Sequence, residues 1–115
     1  LDAQQRVLSG KRFTIRSSNR AAVEPEAVNQ FIAARKPAGL VVAHNHPEAP
    51  AYPSAADDKF TAQIQVVCSM NNIRLYDHII VGTDGTYSYF LVGRMEEIRR
   101  AFDLNAIVGG KLLRD

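Results

Sequence analysis

The stretch AHNHPEAPAYPSAADD, residues 43–58, places two histidines one residue apart, then a proline-rich excursion, a serine and two aspartates. His44 and His46 offer imidazole nitrogens and Asp57 a carboxylate oxygen. Two nitrogens and one oxygen, with a fourth position left for water, suit a catalytic Zn²⁺ ion. Residues i and i+2 of a strand point the same way. Both rings can therefore face one point if the chain stays extended through Asn45. Asp57 falls in the first turn of a helix, where exposed N–H groups favour an ionised carboxylate. Pro47 and Pro53 restrict the connecting loop and lower the entropy cost of assembling the three groups. The spacing alone also fits a plainer reading: two surface histidines in a loop, with Asp57 doing no more than capping its helix.

The elements that must position these residues are legible around them. GLVVAH, residues 39–44, is a short apolar run that predicts a buried, central strand. Before it, Pro25 suits an early helical position, and Val28, Phe31 and Ile32 recur at helical spacing, giving a helix over about 25–36 that closes before Pro37 and Gly39. Ser54 stands three residues before Asp57, a capping arrangement with Asp in place of the usual Glu. The helix it opens would turn Phe60, Ile64, Val67 and Cys68 inward and end near Asn71-Asn72. IRLYDHIIVG and TYSYFLV flank a Thr83–Thr86 turn and predict a hairpin. RMEEIRRAFDL predicts a last helix with Met95, Ile98, Ala101 and Phe102 on one side. Residues 3–16 read as two short strands around Ser9-Gly10. Strand, helix, strand is the pattern of an α/β sheet with a covering helix.

A chain of 115 residues with 46% hydrophobic residues is sized for one domain with its own core. A single cysteine, Cys68, leaves no intrachain disulfide and no Cys-x-x-Cys zinc ribbon, so any metal must be held by His, Asp or Glu. Cys68 shares a helix face with Ile64, and core packing is its expected role. No apolar run approaches about 18 residues, and no signal-peptide layout opens the chain. A cytoplasmic protein without membrane contact is the expectation. Because the chain opens on Leu1 rather than Met, it reads as a piece of a longer protein. The net charge of +2 decides little. Lys11, Arg12, Arg16 and Arg20 are scattered rather than arranged as a readable DNA-binding motif. Tyr87, Tyr89 and Phe90 alternate too irregularly for a base-stacking platform.

The run His44-x-His46-Pro47, seven residues, Ser54-x-x-Asp57 resembles the motif of the JAMM (MPN, or JAB) metalloprotease-like superfamily. HNHP, PSAADDKFT and the later YDHIIVG…YSYF, with the opening LDAQQRVLSG, are similar to its bacterial RadC-type branch. The resemblance implies a cytidine-deaminase-like, three-layer α/β architecture, a mixed sheet flanked by helices. It implies a zinc-dependent hydrolase of peptide or isopeptide bonds, with His44, His46 and Asp57 as zinc ligands. Ser54 would donate to the bound water or to the oxyanion formed on attack. It further implies a single domain over residues 1–115 that lacks its first strand.

One residue that such a hydrolase needs is a general-base glutamate on an early strand, and the resemblance places it before Leu1. Of the glutamates near the motif, Glu24 and Glu26 belong to a helix start, and Glu48 follows the histidines directly without a clear claim to be the base. The chain is therefore expected to bind zinc but to hydrolyse amides poorly. Asp77-His78 also belongs to the resemblance but not to the ligand set. The pair is expected to be buried at a strand end, either bonding to backbone or supporting the site, where a carboxylate or histidine behind a ligand would orient its ring. Ser88 reads as a strand residue rather than a nucleophile. The rival function is a DNA-repair-associated or protein-interaction module with a retained or vestigial metal site. Substrate, oligomeric state and physiological metal are not legible in the residues.

Overall fold

In the computed structural model of the chain, residues 1–7, 10 and 25–102 are described. Ser9, the expected second strand, the four basic residues from Lys11 to Arg20, Glu24 and the tail after Phe102 lie outside them. The elements run α1 (Pro25–Arg35), β1 (Gly39–Asn45), α2 (Ala55–Met70), β2 (Arg74–Gly82), β3 (Gly85–Ser88) and α3 (Arg94–Ala101). The sheet has the order β1-β2-β3, with β1 parallel to β2 and β2 antiparallel to β3. This is a mixed α/β fold, a three-stranded mixed sheet flanked by helices. Residues 3–7 form a turn rather than a strand: the Asp2 carboxylate accepts from Arg6 N and Nε at 2.9 and 3.0 Å.

Helix α1 buries Val28 and Ile32 and ends where Lys36 adopts φ 49° just before Pro37, which disfavours continued helix. In β1, Leu40, Val42 and His44 are the less exposed residues, while Val41, Ala43 and Asn45 are exposed. The expected burial of the whole strand is corrected here, since one face of β1 is exposed. Among the described residues β1 pairs only with β2, and β2 takes the middle. A short run of Val and Ala reads the same whether one face or two are covered, so the apolar run misled. Strands in parallel need a crossover between them, and α2 is that crossover. It packs on β2, with α1 and α3 both packed against α2.

The inward face of α2 differs from the expected stripe. Ile64 and Cys68 are fully buried, but Phe60 and Val67 are only partly so. Phe60 and Val67 still pack against the core, and the helix also buries the polar Asp57, Thr61, Gln65 and Ser69. Helix α3 is likewise narrower than its sequence suggests: Met95 is buried and Ile98 half-buried, but Ala101 and Phe102 are exposed.

Two irregularities shape β2 and β3. The pairing steps from Leu40–Leu75 to Val41–Asp77, leaving Tyr76 as the extra residue of a bulge. Side chains alternate along a strand, so Leu75 points inward before the bulge and His78 and Ile80 point inward after it. Strand β3 stops at Ser88, short of the expected Val92. The Asp77 carboxylate accepts from Ser88 Oγ and from Phe90 N, the latter at 2.9 Å, and Tyr89 O accepts from Arg94 N and Met95 N at 2.9 Å each. These bonds turn the chain into α3 and leave Phe90, Leu91 and Val92 exposed.

The loop after β1 lies close against the end of β2. His46 N donates to Val81 O at 2.7 Å and Thr83 N to Ala49 O at 2.9 Å. Between them Gly82 has no side chain, and a Cβ there would run into the backbone of Pro50 and Ala51. Gly82→Ala is therefore expected to destabilise the fold by about 1–3 kcal/mol, the usual range for overpacking. A lower urea midpoint would report it; an unchanged midpoint would mean that the loop gives way without loss.

Candidate metal centre

The strand exit and the helix start meet at one point. His44 is on the inward side of β1 and His46 follows at the same parity, so both imidazoles face the first turn of α2. His44 Nε2 lies 3.1 Å from Asp57 Oδ1, and His46 Nε2 lies 3.0 Å from Asp57 Oδ2. The three ligand atoms are all within 4.8 Å of one another. Asp57 is held by a full capping box: its N–H donates to Ser54 Oγ at 3.1 Å, and its Oδ2 accepts from Ser54 N at 2.8 Å. The cap and the candidate ligand are the same side chain, so the plainer capping reading and the metal reading are compatible.

The donor set fits a cation. His46 Nδ1 faces Pro50 O at 3.1 Å. A carbonyl can only accept, so Nδ1 carries the ring hydrogen and Nε2 of the neutral ring presents a lone pair. His44 Nε2 is buried and has no hydrogen-bond partner. Two imidazole nitrogens and a carboxylate thus converge on one point, an arrangement that a divalent cation satisfies. The cluster is able to coordinate a metal ion, as a metal-activated hydrolase site requires.

Further back, His44 Nδ1 lies 2.8 Å from His78 Nε2. His78 is fully buried, stacked on Tyr89 with centroids 4.9 Å apart, and its Nδ1 meets Thr61 Oγ1. Thr61 and Tyr89 were not singled out by sequence; the only signal for Thr61 is its position one helical turn after Asp57. Asp77 turns away from the cluster to tie Ser88, Phe90 and its own neighbour's N–H. Ser88 is accordingly a strand-end residue. Ser54 is exposed, and its hydroxyl oxygen is used by the cap only as an acceptor. Glu26 lies at the start of α1, and Glu48 is exposed with φ 62°. Among the described residues no glutamate joins the cluster. Cys68 is buried in the core, which pushes its thiol up to about 12.

The fold and the cluster define a class: a mixed α/β domain with a His-x-His and Asp metal-binding site. A family model described as the RadC-like JAB domain matches residues 1–95, and the chain belongs to this family, within the JAMM/MPN superfamily. It is 38% identical over 100 residues to a UPF0758 protein of Lactococcus lactis subsp. lactis, covering 87% of this chain and 42% of that protein. It is 37% identical over 89 residues to a UPF0758 protein of Streptococcus thermophilus, covering 77% of this chain and 39% of that one. A third relative, from Paraburkholderia xenovorans, is 32% identical over 93 residues, 81% of this chain and 37% of that protein. The chain thus spans about two fifths of the length of these curated relatives.

The electrostatics keep the ligands in their metal-binding forms. Burial works to raise the Asp57 pKa, but its Ser54 hydrogen bonds and the two histidines outweigh this and hold it below the ordinary value. Burial, against the pull of Asp57, lowers the His44 pKa. His78 is pushed down to about 4, by burial first and then by His44. The unfolded chain takes up that proton near pH 6.5 and the native chain only near 4. His78 therefore contributes nothing above this window and destabilises the native state increasingly as pH falls through it. The metal-free protein is expected to lose up to about 3 kcal/mol on this account. Denaturant curves at several pH values, for the wild type and His78→Phe, check it; equal pH slopes would rule His78 out as the source.

Proposed function

We propose that the domain is a zinc-dependent hydrolase of peptide or isopeptide bonds, with His44, His46 and Asp57 as its metal ligands. The observation that carries this reading is the convergence of two imidazole nitrogens and one carboxylate oxygen within 4.8 Å of one another. Two imidazoles and one carboxylate suit zinc among the divalent ions. A zinc ion bound there supplies Lewis acidity, lowering the pKa of a coordinated water and polarising a carbonyl. The chain's own part is to hold the ligands and to donate from Ser54. In this reading the Ser54 hydroxyl, beside Asp57 at the helix start, donates toward charge that develops on a carbonyl oxygen. The base that hydrolysis needs is, in this reading, the glutamate that the family resemblance places on a strand preceding Leu1.

The same reading takes residues 1–115 as one domain of cytidine-deaminase-like, three-layer form, working in the cytoplasm. Among the described residues no helix is long and apolar enough to cross a membrane. A DNA-associated role is the rival reading, and its signature would be binding that weakens steeply as salt rises.

The test is metal content and affinity. The purified chain is expected to take up one equivalent of zinc. Asp57→Ala should lower the affinity by more than about 100-fold, beyond the loss that follows removal of an outer hydrogen-bond partner. A wild-type chain that stays metal-free in excess zinc would sink the proposal. Hydrolysis of a peptide or isopeptide substrate is expected to be poor for this chain and to rise when the preceding residues, with their glutamate, are restored.

A further inference from the structure

We propose that Thr61 and His78 are positioning residues that hold His44 in the one ring tautomer able to bind a metal. The inference rests on the metal-site reading above and extends it to two side chains that touch no ligand position. The geometry allows only one direction of donation along the chain Asp57–Thr61–His78–His44. Thr61 Oγ1 lies 2.7 Å from Asp57 O, and a carbonyl can only accept, so the single hydroxyl hydrogen is spent there. Thr61 Oγ1 must then accept from His78 Nδ1, which carries the ring hydrogen. Nε2 of the neutral His78 ring is left as an acceptor, and at 2.8 Å it takes the hydrogen on His44 Nδ1. The neutral His44 ring therefore has its lone pair on Nε2, the atom that faces Asp57.

The reverse direction fails at the Thr61 end and closes the site to a cation at the other. Were Thr61 to donate to His78, two oxygens 2.7 Å apart would face each other with no hydrogen between them. His44 would then carry its hydrogen on Nε2, aimed at the Asp57 carboxylate where a cation should sit. Water has no way to offer a substitute partner, because Thr61 and His78 are fully buried, with Tyr89 stacked on one face of His78 and Phe60 edge-on to it. A helix backbone carbonyl thus sets, through two side chains, which nitrogen of a strand histidine is free. His46 reaches the same tautomer by a separate route, through Pro50 O.

The test compares Thr61→Val, which keeps the side-chain shape but has no hydroxyl, with Thr61→Ser, which keeps the hydroxyl. Long-range ¹H–¹⁵N spectra of the imidazoles in the metal-free protein read the tautomers directly, and chelator competition reads zinc affinity. The wild type and Thr61→Ser are expected to show His44 hydrogen on Nδ1. Thr61→Val is expected to lose that preference and to bind zinc about 10- to 100-fold more weakly, with Thr61→Ser restored to within about threefold. The inference is overturned if Thr61→Val keeps the wild-type tautomer, whatever its affinity, or if the tautomer changes and affinity does not. It is equally overturned if the wild type carries the hydrogen on Nε2. A wild type that shows the Nδ1 tautomer but takes up no zinc would sink the hydrolase reading, and the tautomer of Thr61→Val would still decide the relay. Should Thr61→Val fail to fold, His78→Gln, whose amide oxygen can still accept from His44 Nδ1, takes its place: it must keep the Nδ1 tautomer, and losing it overturns the inference.

Discussion

Two imidazole nitrogens and a carboxylate oxygen are held within 4.8 Å of one another at the exit of β1. Left to themselves, two lone pairs and a carboxylate would turn to water, since buried acceptors without donors are costly. Much of the surrounding structure can be understood as what prevents that. Asp57 is pinned at both ends of its side chain and backbone by Ser54. His46 is tethered through its other nitrogen to Pro50, and Pro50 is held by a loop bonded to the end of β2. His44 is fixed from behind by His78. Each ligand is thus oriented through atoms that do not face the centre.

The inner face of α2 reflects the same demand. A helix that only covered a sheet would present an apolar stripe, but Asp57, Thr61, Gln65 and Ser69 are buried beside Ile64 and Cys68. Buried polar side chains need partners, and Thr61 finds two of them in Asp57 O and His78. The bulge at Tyr76 matters here because it changes which residues of β2 face α2. Without the extra residue, the alternation that buries Leu75 would send His78 to the opposite side of the sheet. The cost of a disrupted ladder is met by placing an imidazole behind His44. Tyr89 completes the enclosure: its ring stacks on His78, its O–H donates to Asp58 at 2.7 Å, and Arg94 holds the same carboxylate at 2.6 Å.

Where the sequence misled, the reason is local. An apolar run such as Gly39–Ala43 cannot say how many faces of a strand are covered, and β1 has an open one. TYSYFLV looks like a continuous strand, yet Asp77, eleven residues upstream of Ser88, draws the backbone off the sheet at that point. The stripe expected on α2 counted hydrophobic residues, whereas the fold also buries polar ones, of which Asp57 and Thr61 find partners at the site. The Asp77-His78 pair divides the two tasks weighed for it, Asp77 bonding backbone at a turn and His78 standing behind His44.

What the sequence determined by itself is the part written in short spacings: the parity of His44 and His46 on a strand, the capping of α2 by Ser54 with Asp57 three residues on, and a single cysteine, Cys68, that leaves no cysteine pair to rival them. Those relations depend on a few consecutive backbone angles and survive without knowledge of the rest. Only the tertiary structure decided that His78 stands behind His44, that Thr61 stands behind His78, and that Pro50 holds His46. Those contacts depend on the register between β1 and β2, on one bulged residue, and on the closeness permitted at Gly82. Their partners are joined across 34 residues for His44 and His78, and 17 for Thr61 and His78, where no local periodicity reaches.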